Sequence, residues 1–213
     1  MKRLGSALAP LLLIAALTAC GGSDDETPDA AADATTSATQ APTVDTEEDT
    51  GDDGTDTDAD DVEGEVAGDG YSYDLPDGWK EATARFKELN QMVDTGAIAT
   101  GAPAADGFAE NINVIIEDFP GSLDEYLDIA LPLIEKQASD VKRLDDTEVG
   151  DEPAAHVTSG QSSGGQDIFT DQYVVSLDGR VFVITLSHEK SSTDAERAEI
   201  ADEVLDSFEW DAA

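Results

Sequence analysis

Hydrophobic residues from Tyr71 onward follow two periods, and the points where one gives way to the other mark the elements. Tyr71-Ser72-Tyr73-Asp74-Leu75 alternates as a strand does, and Pro76-Asp77-Gly78 is a turn in which glycine supplies a positive φ. Trp79 opens a second strand, to about Ala84. Arg85 to Met92 stays open: Phe86 and Leu89 have helical spacing, but the run is short. Val93 to Ala99 reads as a strand and residues 100–107 as an Ala/Gly/Pro loop. In Ile112-Asn113-Val114-Ile115-Ile116-Glu117 the β-branched density, with Ile112, Val114 and Ile116 on one face, marks a central strand.

Two stretches predict amphipathic helices. Ser122-Leu123-Asp124-Glu125 is a capping box, and Leu123, Tyr126, Leu127, Ala130, Leu133 and Ile134 form one apolar stripe behind it. Pro132 removes a backbone bond there and predicts a kink or a helix in two pieces. Thr193-Asp194-Ala195-Glu196 starts the second, with Ile200, Ala201, Val204, Leu205 and Phe208 at helical spacing. Between the helices, Val141 to Val149 and Ala154 to Gly160 flank a hairpin at Gly150-Asp151-Glu152-Pro153, followed by a loop from Ser162 to Gly165. Asp167 to Leu177 and Arg180 to Ser187 are alternating strands joined by Asp178-Gly179, the pair a type I′ turn requires. The class is therefore α+β: a mostly antiparallel sheet with both helices burying their stripes on it.

The N-terminus follows a different pattern. Lys2 and Arg3 precede an apolar run from Leu4 to Leu17, shorter than the roughly 20 residues a membrane span needs, and Leu17-Thr18-Ala19-Cys20-Gly21 reads as a lipobox. Residues 1–19 are then a lipoprotein signal peptide that is removed. Cys20 becomes the first residue, carrying an S-diacylglyceryl group and an N-acyl chain such as palmitate. Each buried CH₂ contributes about 0.8 kcal/mol, so two or more acyl chains hold a protein at a membrane without a transmembrane helix. Cys20 is the sole cysteine, which rules out an intrachain disulfide or a thiolate metal site.

Composition narrows the partners. The 213 residues carry 49 Asp+Glu against 11 Lys+Arg, a formal charge of −38, which excludes nucleic acid and leaves the lipid, rather than electrostatics, to hold the chain at a bilayer. Residues 20–68 follow as a lipid-anchored, disordered acidic linker, with no aromatic or basic residue from 22 to 68. Its coil dimension is roughly 40 Å at about 5–6 Å per root residue. Asp56-Thr57-Asp58-Ala59-Asp60 alternates as an EF-hand loop does, but Asp61 replaces the turn glycine and Ala67 the bidentate glutamate, so no calcium site is expected. Residues 69–213 remain for one folded domain. The Ala-, Asp- and Gly-rich composition is similar to that of exported proteins of Gram-positive actinobacteria, which puts the domain on the extracellular face of the cell membrane.

Several motifs together resemble one family: Leu75-Pro76-Asp77-Gly78-Trp79, Gly107-Phe108-Ala109 with Asn111-Ile112-Asn113-Val114, Ser122 to Tyr126, Asp178-Gly179-Arg180 and Ser207-Phe208-Glu209-Trp210. In this order, with a lipobox, they resemble the LpqN-type lipoproteins of mycobacteria, of the PsbP-like fold group, over residues 70–210. The resemblance implies an α/β/α sandwich and a non-catalytic accessory role at the cell envelope, with no catalytic residues to carry over.

The residues themselves offer little catalytic chemistry. Gly160-Gln161-Ser162-Ser163-Gly164 matches G-x-S-x-G, with His156 and His188 as conceivable bases, but a nucleophile elbow needs a strand-to-helix turn and this pattern joins two strands. A serine hydrolase using Ser162 is the distant alternative. Both histidines are expected at solvent-facing or edge positions, and Trp79, Tyr173 and Phe182 in the core. The expectation is a non-enzymatic envelope module without metal or cofactor, reaching an envelope or membrane protein, or else a carrier or sensor of a small apolar or glycolipid ligand.

Overall fold

The computed structural model describes residues 64–101, 108–163 and 166–211. The signal segment, Cys20, the linker up to residue 63 with its EF-hand-like run, and most of the 100–107 loop lie outside the described residues. Fourteen elements follow in order: β1 (Glu65–Ala67), β2 (Tyr71–Asp74), β3 (Trp79–Glu81), α1 (Thr83–Leu89), β4 (Val93–Ala99), β5 (Asn111–Asp118), α2 (Leu123–Ile134), β6 (Ser139–Arg143), β7 (Thr147–Val149), β8 (Glu152–Ser163), β9 (Gln166–Leu177), β10 (Arg180–Glu189), α3 (Asp194–Asp206) and β11 (Glu209–Trp210).

The larger sheet has eight strands in the order β3-β4-β5-β10-β9-β8-β6, with β7 also on β8, and every described pairing is antiparallel. Its middle is the β9–β10 hairpin, where Asp178 (φ 52°) and Gly179 (φ 78°) both take the positive φ that a type I′ turn demands. Gly78 (φ 78°) sits in the turn closed by the Trp79 N–H donating to the Pro76 carbonyl at 3.0 Å.

Alternation along β10 divides its residues between two cores. Phe182, Ile184 and Leu186 join Ile112, Val114, Tyr173 and Val175 on the face packed against α3, whose Ala201, Val204 and Leu205 are buried. Val181 and Val183 point the other way, with Ala155, Val157 and Val174, against Tyr126, Leu127, Ala130 and Ile134 of α2. A fully buried aliphatic or aromatic side chain contributes roughly 1.5–3 kcal/mol, so these two layers supply most of the favourable energy of the fold. Helices thus cover both faces of a mostly antiparallel sheet, as expected for the α+β class. Among the described residues no helix is long and apolar enough to cross a membrane.

Both capping boxes form. The Ser122 hydroxyl accepts from the Glu125 N–H at 3.3 Å while the Glu125 carboxylate accepts from the Ser122 N–H at 2.9 Å, and Thr193 and Glu196 do the same at 3.3 and 2.7 Å.

Several expectations need correction. There are three helices among the described residues, not two: the strand that Trp79 opens stops at Glu81 rather than near Ala84, and Thr83 to Leu89, overlapping the open stretch from Arg85, form α1, which buries Phe86 against Val93, Ile98 and Ile115. Gly96 makes room for it, since a Cβ there would lie 2.4 Å from the Phe86 ring. The helix containing Pro132 is one piece, because the proline falls in its last turn and the carbonyl it leaves without a partner belongs to exposed Asp128. Val141 to Val149 splits into β6 and β7, and Ser162 and Ser163, expected to start a loop, extend β8.

The domain also starts earlier than expected. Glu65 to Ala67, placed in the linker by composition, form β1 and pair with β2, burying Val66. β2 pairs on its other side with β11, giving a second sheet in the order β1-β2-β11. Tyr71, Tyr73, Phe182, Phe208 and Trp210 gather there with ring centroids from 5.0 to 6.2 Å apart.

Candidate functional site: a cleft beneath helix α3

The same-face residues that build the first core change character at one end of the sheet. Along β10 the sequence Phe182, Ile184, Leu186 continues to His188. Along β9, Tyr173 is followed toward the N-terminus by Asp171 and Phe169. Along β8, Ala154 is followed by His156, Thr158 and Gly160. Register sets Thr158 opposite Asp171, His156 opposite Tyr173, and Lys142 of β6 opposite Thr158. α3 lies over this end and contributes Arg197, leaving between helix and sheet a cleft of about 670 Å³.

Asp171 is the centre of the charge arrangement and is almost fully buried. His156 Nε2 lies 2.8 Å from its Oδ1, and Arg197 Nε lies 3.3 Å from its Oδ2. A carboxylate paired with a guanidinium only accepts, so His156 donates to it from Nε2. The His156 ring stacks on Tyr173 at 4.4 Å between centroids. The Arg197 guanidinium lies 3.8 Å over the Phe169 ring, and it also donates to the Asp194 carboxylate at 2.7 Å and the Ser192 carbonyl at 2.9 Å.

Behind the cleft, His188 is wholly buried between two carboxylates. Its Nδ1 is 3.4 Å from Glu110 and its Nε2 is 3.8 Å from Asp171. The His188 ring beside Glu110 holds that carboxyl below its ordinary range against the opposing effect of burial, helped by the Ser192 hydroxyl, which donates to it at 3.1 Å. At the outer end Lys190 pairs with Asp167 at 2.8 Å and lowers the pKa of that carboxyl.

The expectation that both histidines face solvent or an edge is overturned. They lie on the core-facing side of their strands, where Asp171 and Glu110 compensate them. Ser162 is elsewhere: its exposed hydroxyl is hydrogen-bonded to Asp167, and it stands six residues, about 20 Å, along β8 from His156. The structure brings no histidine to it and shows a strand where a nucleophile elbow needs a strand-to-helix turn. Phe182 is in the core as expected, Trp79 is partly buried, and Tyr173 is buried but also lines the cleft. Among the described residues no three His, Cys, Asp or Glu side chains converge as metal ligands. Beneath α2, by contrast, the space between Tyr126, Leu127, Val157 and Val183 amounts to about 10 Å³, room for no more than one water.

Helices on both faces of an antiparallel sheet, with a polar cleft at one end, define the class of protein this chain is: an α+β domain. No protein-family model matches the chain, and no curated protein matches it. It is similar to several solved structures. One is LpqN, involved in cell envelope biogenesis of Mycobacterium tuberculosis, with 17% identity over 69% of this chain and 87% of that one and a TM-score of 0.46. Another is the cyanobacterial PsbP of Synechocystis sp. PCC 6803, with 16% identity over 70% and 94% and a TM-score of 0.42. A third is the Saccharomyces cerevisiae Ran-binding protein Mog1p, with 13% identity over 66% and 90% and a TM-score of 0.46. A Bacteroides thetaiotaomicron protein matches at 12% identity and a TM-score of 0.46 over 67% of this chain, which spans 45% of its length. Likeness at this level assigns no residue a role.

Proposed function

We propose that this chain is a non-enzymatic cell-envelope lipoprotein, a binding or assembly module anchored through acyl chains on Cys20 at the extracellular face of the cell membrane. The lipobox Leu17-Thr18-Ala19-Cys20-Gly21 carries the reading. The acidic linker supports it, because a charged coil of roughly 40 Å sets the domain clear of the bilayer, where tethering raises its local concentration toward an envelope protein. The filled interior under α2 supports protein contact rather than an enclosed apolar cargo.

Labelling with an alkyne-tagged palmitate analogue tests the anchor: the wild-type chain takes up label and partitions into detergent, and Cys20→Ser abolishes both. An intact chain that stays unlabelled and aqueous would refute it. Proximity labelling then tests the module, which predicts an envelope protein enriched over a control carrying the lipobox and linker alone.

A second reading, a carrier or sensor of a small ligand, is favoured by one observation, the cleft beneath α3. Its volume lies in the range of small-molecule sites, roughly 300–1,000 Å³.

A further inference from the structure

We propose that the α3 cleft binds a small organic anion with an apolar body, its charged group seated between Lys142 and Thr158. The inference rests on the second reading above and supplies the chemical class of the ligand.

Thr158 carries it. The side chain is 5% exposed, lines the cleft, and its Oγ1 has no hydrogen-bond partner among the described residues. An orphaned buried hydroxyl costs about 1–3 kcal/mol, a cost removed when a ligand oxygen arrives. Its neighbour across the β6–β8 pairing is Lys142, which has no carboxylate within 4 Å among the described residues. The other cations of the lining are occupied: Arg197 by Asp171 and Asp194, Lys190 by Asp167. The same pairs occupy Asp171 and Asp194, so the end of the cleft at Thr158 holds one ammonium and one hydroxyl without partners among the described residues. Both donate, and together they suit a carboxylate, sulfonate or phosphate oxygen. Leu144, which is exposed, and Phe169 supply the apolar and aromatic surface next to them. Asp202, on the α3 wall, is the lining carboxylate without a cation and disfavours an anion placed at that end.

The test uses the full chain with Cys20→Ser, so that no acyl group competes. Two fluorescent probes with the same ring system differ in charge: 8-anilinonaphthalene-1-sulfonate and neutral N-phenyl-1-naphthylamine. The anionic probe is expected to bind about tenfold tighter, the worth of one charge-assisted contact. Lys142→Gln and the near-isosteric Thr158→Val each weaken it about fivefold or more with unchanged circular dichroism, and Asp202→Asn tightens it. Decanoate displaces the probe and inorganic phosphate does not. Equal binding of the two probes, or indifference to Lys142→Gln, overturns the anion and leaves an apolar carrier standing. Displacement by inorganic phosphate alone overturns the apolar body. Failure of both probes to bind removes the carrier reading as well.

Discussion

His156 Nε2 lies 2.8 Å from the Asp171 carboxylate, on the diagonal between neighbouring strands β8 and β9. The same carboxylate holds Arg197 of α3 at 3.3 Å, so one buried acid joins sheet to helix. Removing one member of such a set strands the others. Asp171→Ala is expected to lower unfolding free energy by about 3 kcal/mol. The paired variant Asp171→Leu with Arg197→Met is expected to be more stable than Asp171→Ala, since it leaves no uncompensated guanidinium. Urea midpoints of the single and paired variants check this.

Glu110 makes acid stability a second test. Its folded pKa is depressed below the ordinary 4.5 by His188, so its contribution is present above that value and is lost as pH falls through the lower folded one. Unfolding free energies of wild type and Glu110→Gln are therefore expected to differ at pH 7 and to converge as pH falls below 4.5 and through the lower folded value. A difference that stays constant across that window would contradict the assignment.

Gly150 and Gly78 separate backbone strain from crowding. Both have positive φ, 56° and 78°. A Cβ at Gly78 meets nothing within 4 Å, whereas one at Gly150 would lie 2.4 Å from the Phe208 carbonyl oxygen. Gly78→Ala is expected to cost about 1 kcal/mol, and Gly150→Ala at least about 2 kcal/mol, because the backbone after α3 must also move. Chemical denaturation of the two variants gives the comparison directly.

The two capping boxes are expected to contribute similarly. Ser122→Ala and Thr193→Ala each remove the acceptor for an N–H of the first turn and should cost about 1 kcal/mol, read as lowered melting temperatures.

These boxes, the Asp178-Gly179 hairpin and the stripes of α2 and α3 were legible in the sequence because each depends on residues within one or two turns of one another. β1 and β11 were not. Glu65 to Ala67 have a linker's composition, and they become a strand only because Val66 meets the aromatic cluster that nearby Tyr71 makes with Phe208 and Trp210, residues distant in the chain. The same holds for α1: seven residues carry little helical signal until Phe86 finds the space over Gly96. The cleft did leave a trace. Extending Phe182, Ile184, Leu186 by one more step lands on His188, and the stripe through Phe169 and Tyr173 passes through Asp171. A charged residue on a core-facing stripe signals a buried ion pair. A histidine taken singly carries no such signal; the alternation through its neighbours is what puts it inside.

The order β1-β2-β11 has a mechanical consequence. The acidic segment joins the domain at Glu65, opposite Asp74 at the open end of the β1–β2 hairpin, so force applied through that segment opens those ladder bonds one after another instead of shearing them together. β1 is the first strand to peel, exposing Val66, and the eight-stranded sheet stays whole while the segment gains a few residues of slack.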